Sequence, residues 1–427
     1  MLLIQNGRVL DPASRTDAAL DVLLSGDRIV QLGAGLAVPG GADVFDAKGM
    51  IVAPGFIDLH CHLREPGQEL SETIETGTRS AARGGFTALC CMPNTQPVND
   101  TASVTRGIVE RAAASGVVHV WPIGAVSVGS KGEALAEIAA MKDAGIVAVS
   151  DDGKPVATSR LMRQVMEYCD SIGLPVIDHC EDPSLAAGGV MREGPHSLRL
   201  GLKGIPAQSE SICVGRDVEL AQLTGAALHI AHMSTTRSLE HVRYAKKHGW
   251  RVTCEVTPHH FTLADEDVRY NTNYKMNPPL ASRDDRDALI AGLADGSVDA
   301  IATDHAPHHP ASKDVEFDRA PFGILGFETA LALALRELVQ KNKITLMRLV
   351  ELFTTGPARV LGIERKIAAG QPADLTIFST DHKWTYRVND SPSKSRNSPF
   401  DGAAFTGAPM ATIVAGRVAY QRPQTSG

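Results

Sequence analysis

The chain reads as an α/β protein, a TIM (β/α)8 barrel with a small β-sandwich assembled from both chain ends. Three observations predict this. Short apolar runs alternate with amphipathic helical stretches through the middle of the chain. Both ends carry short alternating strands separated by Gly and Asp turns. The central apolar runs end in His and Asp, as barrel strands do when they deliver side chains to the C-terminal rim.

In order, the expected central strands are 51–60, 86–92, 117–126, 146–150, 174–179, 226–232, 251–257 and 298–304. Helical stretches are expected at 72–83, 103–115, 131–144, 159–172 and 236–248, the last opening on a Thr cap and ending at Gly249. Eight strands, each followed by a helix, is the count for a closed barrel. An open doubly wound sheet fits the same pattern. Residues 1–50 (LLIQNGRVL, DVLLSGDRIVQLG, DVFDAKGMI) and the tail (ADLTIFS, KWTYRV, MATIVAGRVAY) read as short antiparallel strands. Neither end has enough apolar surface to fold alone, so the two are expected to pair. The expected division is 1–52 and 365–427 for the sandwich and 53–364 for the barrel.

Of the 427 residues, 43% are hydrophobic and 21% charged, with net charge −7. That balance argues against a nucleic-acid partner, which needs a basic face. No apolar run approaches the roughly 18 residues of a membrane span. The opening MLLIQNGRVLDP turns polar too soon for a signal peptide and reads as a strand. Seven scattered cysteines suggest reduced thiols and a cytoplasmic protein.

The strand ends carry the chemistry. The first closes on Asp58-Leu59-His60-Cys61-His62-Leu63-Arg64. Alternation puts His60 and His62 on one face, with Asp58 a step deeper and Cys61 turned away. The fourth strand ends in Ser150-Asp151-Asp152-Gly153 and the fifth in Asp178-His179-Cys180-Glu181-Asp182. The sixth ends in His229-Ile230-Ala231-His232 and the eighth in Thr303-Asp304-His305-Ala306-Pro307-His308. An H-x-H alone is a weak signal. Several strand ends bearing metal-ligand residue types at one rim supply enough donors for two zinc-like ions.

The segments DLHCHLREPG, MPNT, SDDG, DHCED, HIAHMST, CEVTPHHF, KMNPPL, ATDHAPH, PFGILGFET, GQPADLTIF and SKSRNSPFDG resemble, in order and nearly end to end, the motifs of long-chain bacterial dihydroorotases. The resemblance implies reversible hydrolysis of dihydroorotate to N-carbamoyl-L-aspartate in pyrimidine biosynthesis, by a metal-activated hydroxide with Asp304 as general acid and base. It implies Zn2+, two ions, held by His60, His62 and Asp304 and by His179 and His232, with Asp152 bridging. Asp151 is the alternative bridge. A carboxylated lysine, the bridge in hydantoinases, is not expected, and Lys154 reads as a solvated charge. Substrate contacts implied are Arg64, Asn94 and His308 for a carboxylate, Asn277 for the ring amide, and the Pro321-Phe322-Gly323 turn. His259, His260, His305 and His309 read as structural. A homodimer is expected, and a complex with aspartate transcarbamoylase is possible by analogy. Hydantoinase or allantoinase activity and a catalytically dead barrel are the rival readings; a dead barrel would lack metal ligands that this chain keeps.

Overall fold

The computed structural model describes residues 1–423. Eight parallel strands follow one another in chain order: Phe56–Cys61, Phe86–Cys91, His119–Gly124, Ala148–Val149, Val176–Asp178, Leu228–Ile230, Val252–Val256 and Ala300–Ile301. The first and last also meet. Asp58 accepts from the Thr303 amide at 2.8 Å, the His62 amide donates to the His305 carbonyl at 2.8 Å, and Cys61 bridges to His305 in parallel. The sheet therefore closes on itself, which decides for the barrel over the open sheet.

One buried cluster takes Ile57 and Leu59 from the first strand, Ala88 and Cys90 from the second, and Ile123, Ala148, Ile177 and Ala300 from others. Side chains from six strands can touch only inside the barrel. The many alanines fit the narrow space there. Phe56, Phe86, Phe353 and Phe378 instead pack together outside it, with the Phe56 and Phe353 rings stacked 5.0 Å apart.

Helices follow the expected periodicity with one exception. Ile74–Gly84 starts at a Thr73 cap paired reciprocally with Thr76, and stops at Gly85, whose φ of 95° suits glycine alone. Ala102–Ser115, Ser159–Ile172 and Thr236–Lys247 also form, the last capped by Thr235. The helix expected over 131–144 is confined to Ile138–Ala144. Gly132 has a left-handed φ of 68°, and Ser127 bridges to Leu135, so the chain turns before it coils.

The chain ends build two facing sheets. One orders Arg28–Gly33, Asp21–Ser25, Leu2–Gln5 and Asp43–Asp46. The other orders Arg417–Gln421, Ala404–Val414, Leu375–Thr385, Ile51–Pro54, Arg8–Asp11 and Thr16–Ala19. Ile4, Val9, Val22, Ile29, Val52, Leu375, Ile377 and Ile413 fill the space between. The expectation of purely antiparallel strands fails at two places: Leu2–Gln5 runs parallel to Asp43–Asp46, and Arg8–Asp11 parallel to Ile51–Pro54. The chain passes from the first sheet to the second twice in the same direction, so each returning strand lands parallel. The single strand expected over 51–60 is two strands, broken at Gly55 where the chain leaves the sandwich for the barrel.

Arg365 and Asp374 fasten the sandwich to the barrel. The guanidinium pairs with Asp374 at 2.7 Å and donates to the Gly55 carbonyl and Thr87 Oγ1. Asp374 also takes a hydrogen bond from His119 at 3.1 Å.

Candidate metal centre and substrate cavity

The five strand ends converge on one point. Asp152 lies at its centre: Oδ1 is 3.3 Å from His60 Nε2, 3.5 Å from His232 Nε2 and 3.6 Å from His179 Nδ1. Its Oδ2 is 3.6 Å from His62 Nε2. Asp304 Oδ1 stands 3.0 Å from His62 Nε2 and 3.6 Å from His60 Nε2. All six side chains are buried. Of the two adjacent aspartates, only Asp152 faces the histidines. Asp151 is occupied elsewhere, accepting from the amides of Val126 and Ser127 and from the Ser127 hydroxyl. Lys154 is exposed.

Burial opposes charge throughout this cluster, but mutual attraction outweighs it at most positions. Asp152 holds His60 well above the ordinary imidazole value and His179 up to about 9. The same histidines hold Asp152 well below the carboxylate range, and His62 and His60 do so for Asp304. His232 goes the other way, lowered by burial and the neighbouring imidazoles.

The imidazoles are oriented from behind. His60 Nδ1 donates to Glu255 Oε1 at 3.2 Å, and His62 Nδ1 to Asn94 Oδ1 at 2.9 Å. Both therefore turn Nε2 inward, the nitrogen whose lone pair a cation would take in place of its proton. Glu255 is fully buried, held down to about 2 by His229 and His60 despite its burial, and its other oxygen accepts from His229 at 3.1 Å. Glu255 is the residue that strand-end reasoning missed. It sits inside the CEVTPHHF segment, on the seventh strand, one strand over from His229 and His232.

Does this donor set fit a metal? Ligands at zinc distances around a tetrahedral ion stand about 3.3 Å apart, and the separations above bracket that figure. His60, His62 and Asp304 form one close group and His60, Asp152 and His232 another. Buried His60 Nε2 and Asp152 Oδ1 also have no hydrogen-bond partner among the described residues, a costly arrangement in a protein interior. The residues fit a cation.

A cavity of about 230 Å³ opens above the cluster, lined by His62, Arg64, Asn94, Asp152, Gly153, His179, His232, Asn277, Asp304, Ala306, His308, Phe322 and Gly323. Of the expected site residues, His60 lies beneath this lining and Pro321 outside it. Arg64 is buried, donates to the Pro307 carbonyl at 3.1 Å, and approaches His308 Nε2 at 3.5 Å. No carboxylate lies within ion-pair distance of it among the described residues, and burial lowers it to about 10. His308 donates from Nε2 to the Phe322 carbonyl at 2.6 Å. Asn277 Nδ2 donates to Glu181 Oε2 at 3.1 Å and lies 3.2 Å from His179 Nε2. Asn397, another residue not foreseen, ties the rim together from the tail: its amide donates to the carbonyls of Ala306 and Gly323, and its Oδ1 accepts from the His308 amide.

Of the remaining histidines, His260 bridges Thr257 and the Pro278 carbonyl, and His305 stacks on Phe327 at 3.9 Å. Cys61 and Cys180 are both buried; Cys61 bonds the Cys90 carbonyl and Cys180 lies against Asp178 and Asp217.

Sequence comparison bears on the same residues. A protein of Solibacter usitatus named dihydroorotase is 58% identical over 423 residues, covering 99% of this chain and 98% of that protein. One of Geobacter sulfurreducens with the same name is 53% identical over 99% of each. The chain belongs to the dihydroorotase family. The family model described as "Dihydro-orotase-like" matches residues 49–238, which span the first six barrel strands. Among solved structures, an L-hydantoinase (dihydropyrimidinase) from Arthrobacter aurescens superposes with a TM-score of 0.89 at 25% identity, covering 99% of this chain and 97% of that one. A dihydropyrimidinase from Brevibacillus agri gives 0.86 at 24% identity, over 100% and 96%, and shows the shared fold. No helix among the described residues is long and apolar enough to cross a membrane.

Proposed function

We propose that this member of the family interconverts dihydroorotate and N-carbamoyl-aspartate, opening and closing the cyclic amide at the mouth of the barrel. The observation that carries the reading is Arg64. A buried guanidinium with no acidic partner among the described residues, beside Asn94 and His308 in a cavity floored by the His/Asp cluster, calls for an anionic ligand, and dihydroorotate brings a carboxylate to that end. The names carried by relatives at 50–58% identity over nearly the whole chain support the same substrate.

Zn2+ is the ion that an imidazole-rich, carboxylate-bridged set suits, and two such ions would supply activated water and a Lewis acid for the ring carbonyl. In this reading His60, His62 and Asp304 would hold one ion and His179 and His232 the other, with Asp152 within reach of both groups. Glu255 and Asn94 keep the first two imidazoles turned inward. Arg64 takes the substrate carboxylate in a forked pair, with the Asn94 NH2 and His308 at its edge. Asn277 meets the ring amide, and the Pro321-Phe322-Gly323 turn closes over it. Asp304 receives the proton that water gives up as its oxygen bonds to the carbonyl carbon. It then delivers that proton to the ring nitrogen as the C–N bond breaks. Ring closure runs the same transfers backwards.

Hydantoinase is the second reading, favoured by the structural neighbours. It leaves Arg64 without a role, because hydantoin itself carries no carboxylate. Absorbance assays of the purified protein on dihydroorotate, hydantoin and allantoin, with and without chelator, test both. Chelator-sensitive turnover of dihydroorotate alone is expected. Turnover of hydantoin in preference to dihydroorotate would overturn the proposal.

A further inference from the structure

Two lysines beside the cavity are buried without any carboxylate in ion-pair contact among the described residues: Lys275 is 2% exposed and Lys313 7%. Burying an ammonium is costly unless its protons are satisfied. Here backbone carbonyls satisfy them. Lys313 Nζ donates to the carbonyls of Thr272 at 3.0 Å, Lys275 at 3.4 Å and Pro321 at 2.8 Å. Lys275 Nζ donates to those of Phe317 and Asp318, both at 2.9 Å, and sits 4.7 Å from the centre of the Phe322 ring.

The acceptors fall on two stretches of chain. One is 272–278, which carries Asn277; the other is 313–323, which carries Phe322 and Gly323. Each lysine reaches from its own stretch to the other. Two further bonds reinforce the crossing: the Gly323 amide donates to the Lys275 carbonyl at 2.9 Å, and the Thr272 hydroxyl donates to the Lys313 carbonyl at 2.6 Å. Burial, with the neighbouring Lys275 charge, pulls Lys313 down to about 7. A Met or Leu would fill the same volume at less cost, and neither lysine touches the His/Asp cluster.

We propose that Lys275 and Lys313 form a two-lysine latch that locks the Asn277 stretch to the Phe322 turn and so sets the shape of the substrate end of the cavity. They are positioning residues. The inference rests on the reading that Asn277 and the Phe322–Gly323 turn meet the substrate.

The test compares Lys275→Met and Lys313→Met with the wild-type holoenzyme. KM for dihydroorotate should rise about tenfold or more, while kcat stays within about threefold and bound metal is unchanged. Lys275→Arg, which still donates to two carbonyls, should bring KM most of the way back. Unchanged KM in both Met variants would overturn the latch, as would a parallel fall of kcat, metal content and melting temperature. If Lys313→Met does not fold, Lys275→Met carries the comparison, since it leaves the acceptors of Lys313 in place. Trypsin supplies a readout independent of turnover. Exposed Arg319 lies inside the latched stretch, so the Met variants should be cut there about tenfold faster than wild type, and equal rates would sink the proposal. Failure of the wild-type protein to turn over dihydroorotate would instead overturn the functional reading, leaving the cleavage rates to decide the latch.

Discussion

The barrel mouth and the sandwich are built from the same chain by opposite rules. In the sandwich, the core is aliphatic, and the buried ionic pair at its junction, Arg365 with Asp374, has its polar atoms bonded on both sides. At the mouth, His60 Nε2, Asp152 Oδ1, His232 Nδ1 and Asn277 Oδ1 are buried with no partner among the described residues. Arg64, His232 and Asp304 there have φ of 61°, 30° and 46°, a region that costs non-glycine residues about 1–3 kcal/mol each. The sandwich is optimised to stay folded. The mouth is arranged for something that is not protein, and the sandwich and the barrel wall bear the cost.

That contrast can be broken experimentally, beginning with the largest effect. Asp304→Asn should lower turnover of dihydroorotate by about 10²–10⁴-fold with circular dichroism unchanged, because a proton carrier is lost and the fold is not. Near-wild-type turnover would remove Asp304 from the chemistry. Arg64→Met should raise KM for dihydroorotate by roughly 10–100-fold, the worth of a charged hydrogen-bond pair, with a smaller change in kcat. A KM equal to wild type would assign the guanidinium to rim structure. Glu255→Gln should weaken metal binding about 10–100-fold, measured by competition with a chelating dye, since His60 loses the anion that orients it. Undiminished affinity would show that His60 needs no support from behind.

The smallest effect belongs to the sandwich. Burial alone would raise Asp374, but His119 and Arg365 hold it at about 2. Its unfolded value is near 3.9, so its contribution is complete above that pH and is lost as pH falls from about 4 to 2. The depression corresponds to roughly 2.5 kcal/mol. Urea unfolding of Asp374→Asn should therefore show a loss of about that size at pH 7 that shrinks towards pH 2, with metal content untouched. A constant loss across that range would mean that Asp374 acts through packing.

The barrel was legible because its signal is repetitive: eight short apolar runs recur between helical stretches, and five of them end in His or Asp. The helix at 131–144 misled because composition does not reveal that Gly132 takes a left-handed φ. The parallel pairings in the sandwich were hidden because direction depends on the path between sheets, which local alternation does not encode. Strict alternation also failed locally on the first strand. A register shift between Asp58 and Cys61 turns the Asp58 carboxylate to Thr303 and away from the mouth. The His and Asp residues at the mouth were visible as residue types at strand ends. Glu181 was visible beside His179, but its bond to Asn277 was not, and Glu255 and Asn397 went unassigned, because which side chains meet across neighbouring strands or from the tail is not encoded in local spacing.

The strand Ile51–Pro54 pairs with Leu375–Thr385, more than three hundred residues later. At roughly 5–20 residues per second of synthesis, a growing chain exposes one open edge of that strand for about 16–65 seconds before its neighbour exists. During that interval an apolar hydrogen-bonding edge is available to any other nascent chain on the same message. Slow decoding between the two strands should therefore lower the soluble yield of this protein more than equally slow decoding after the second.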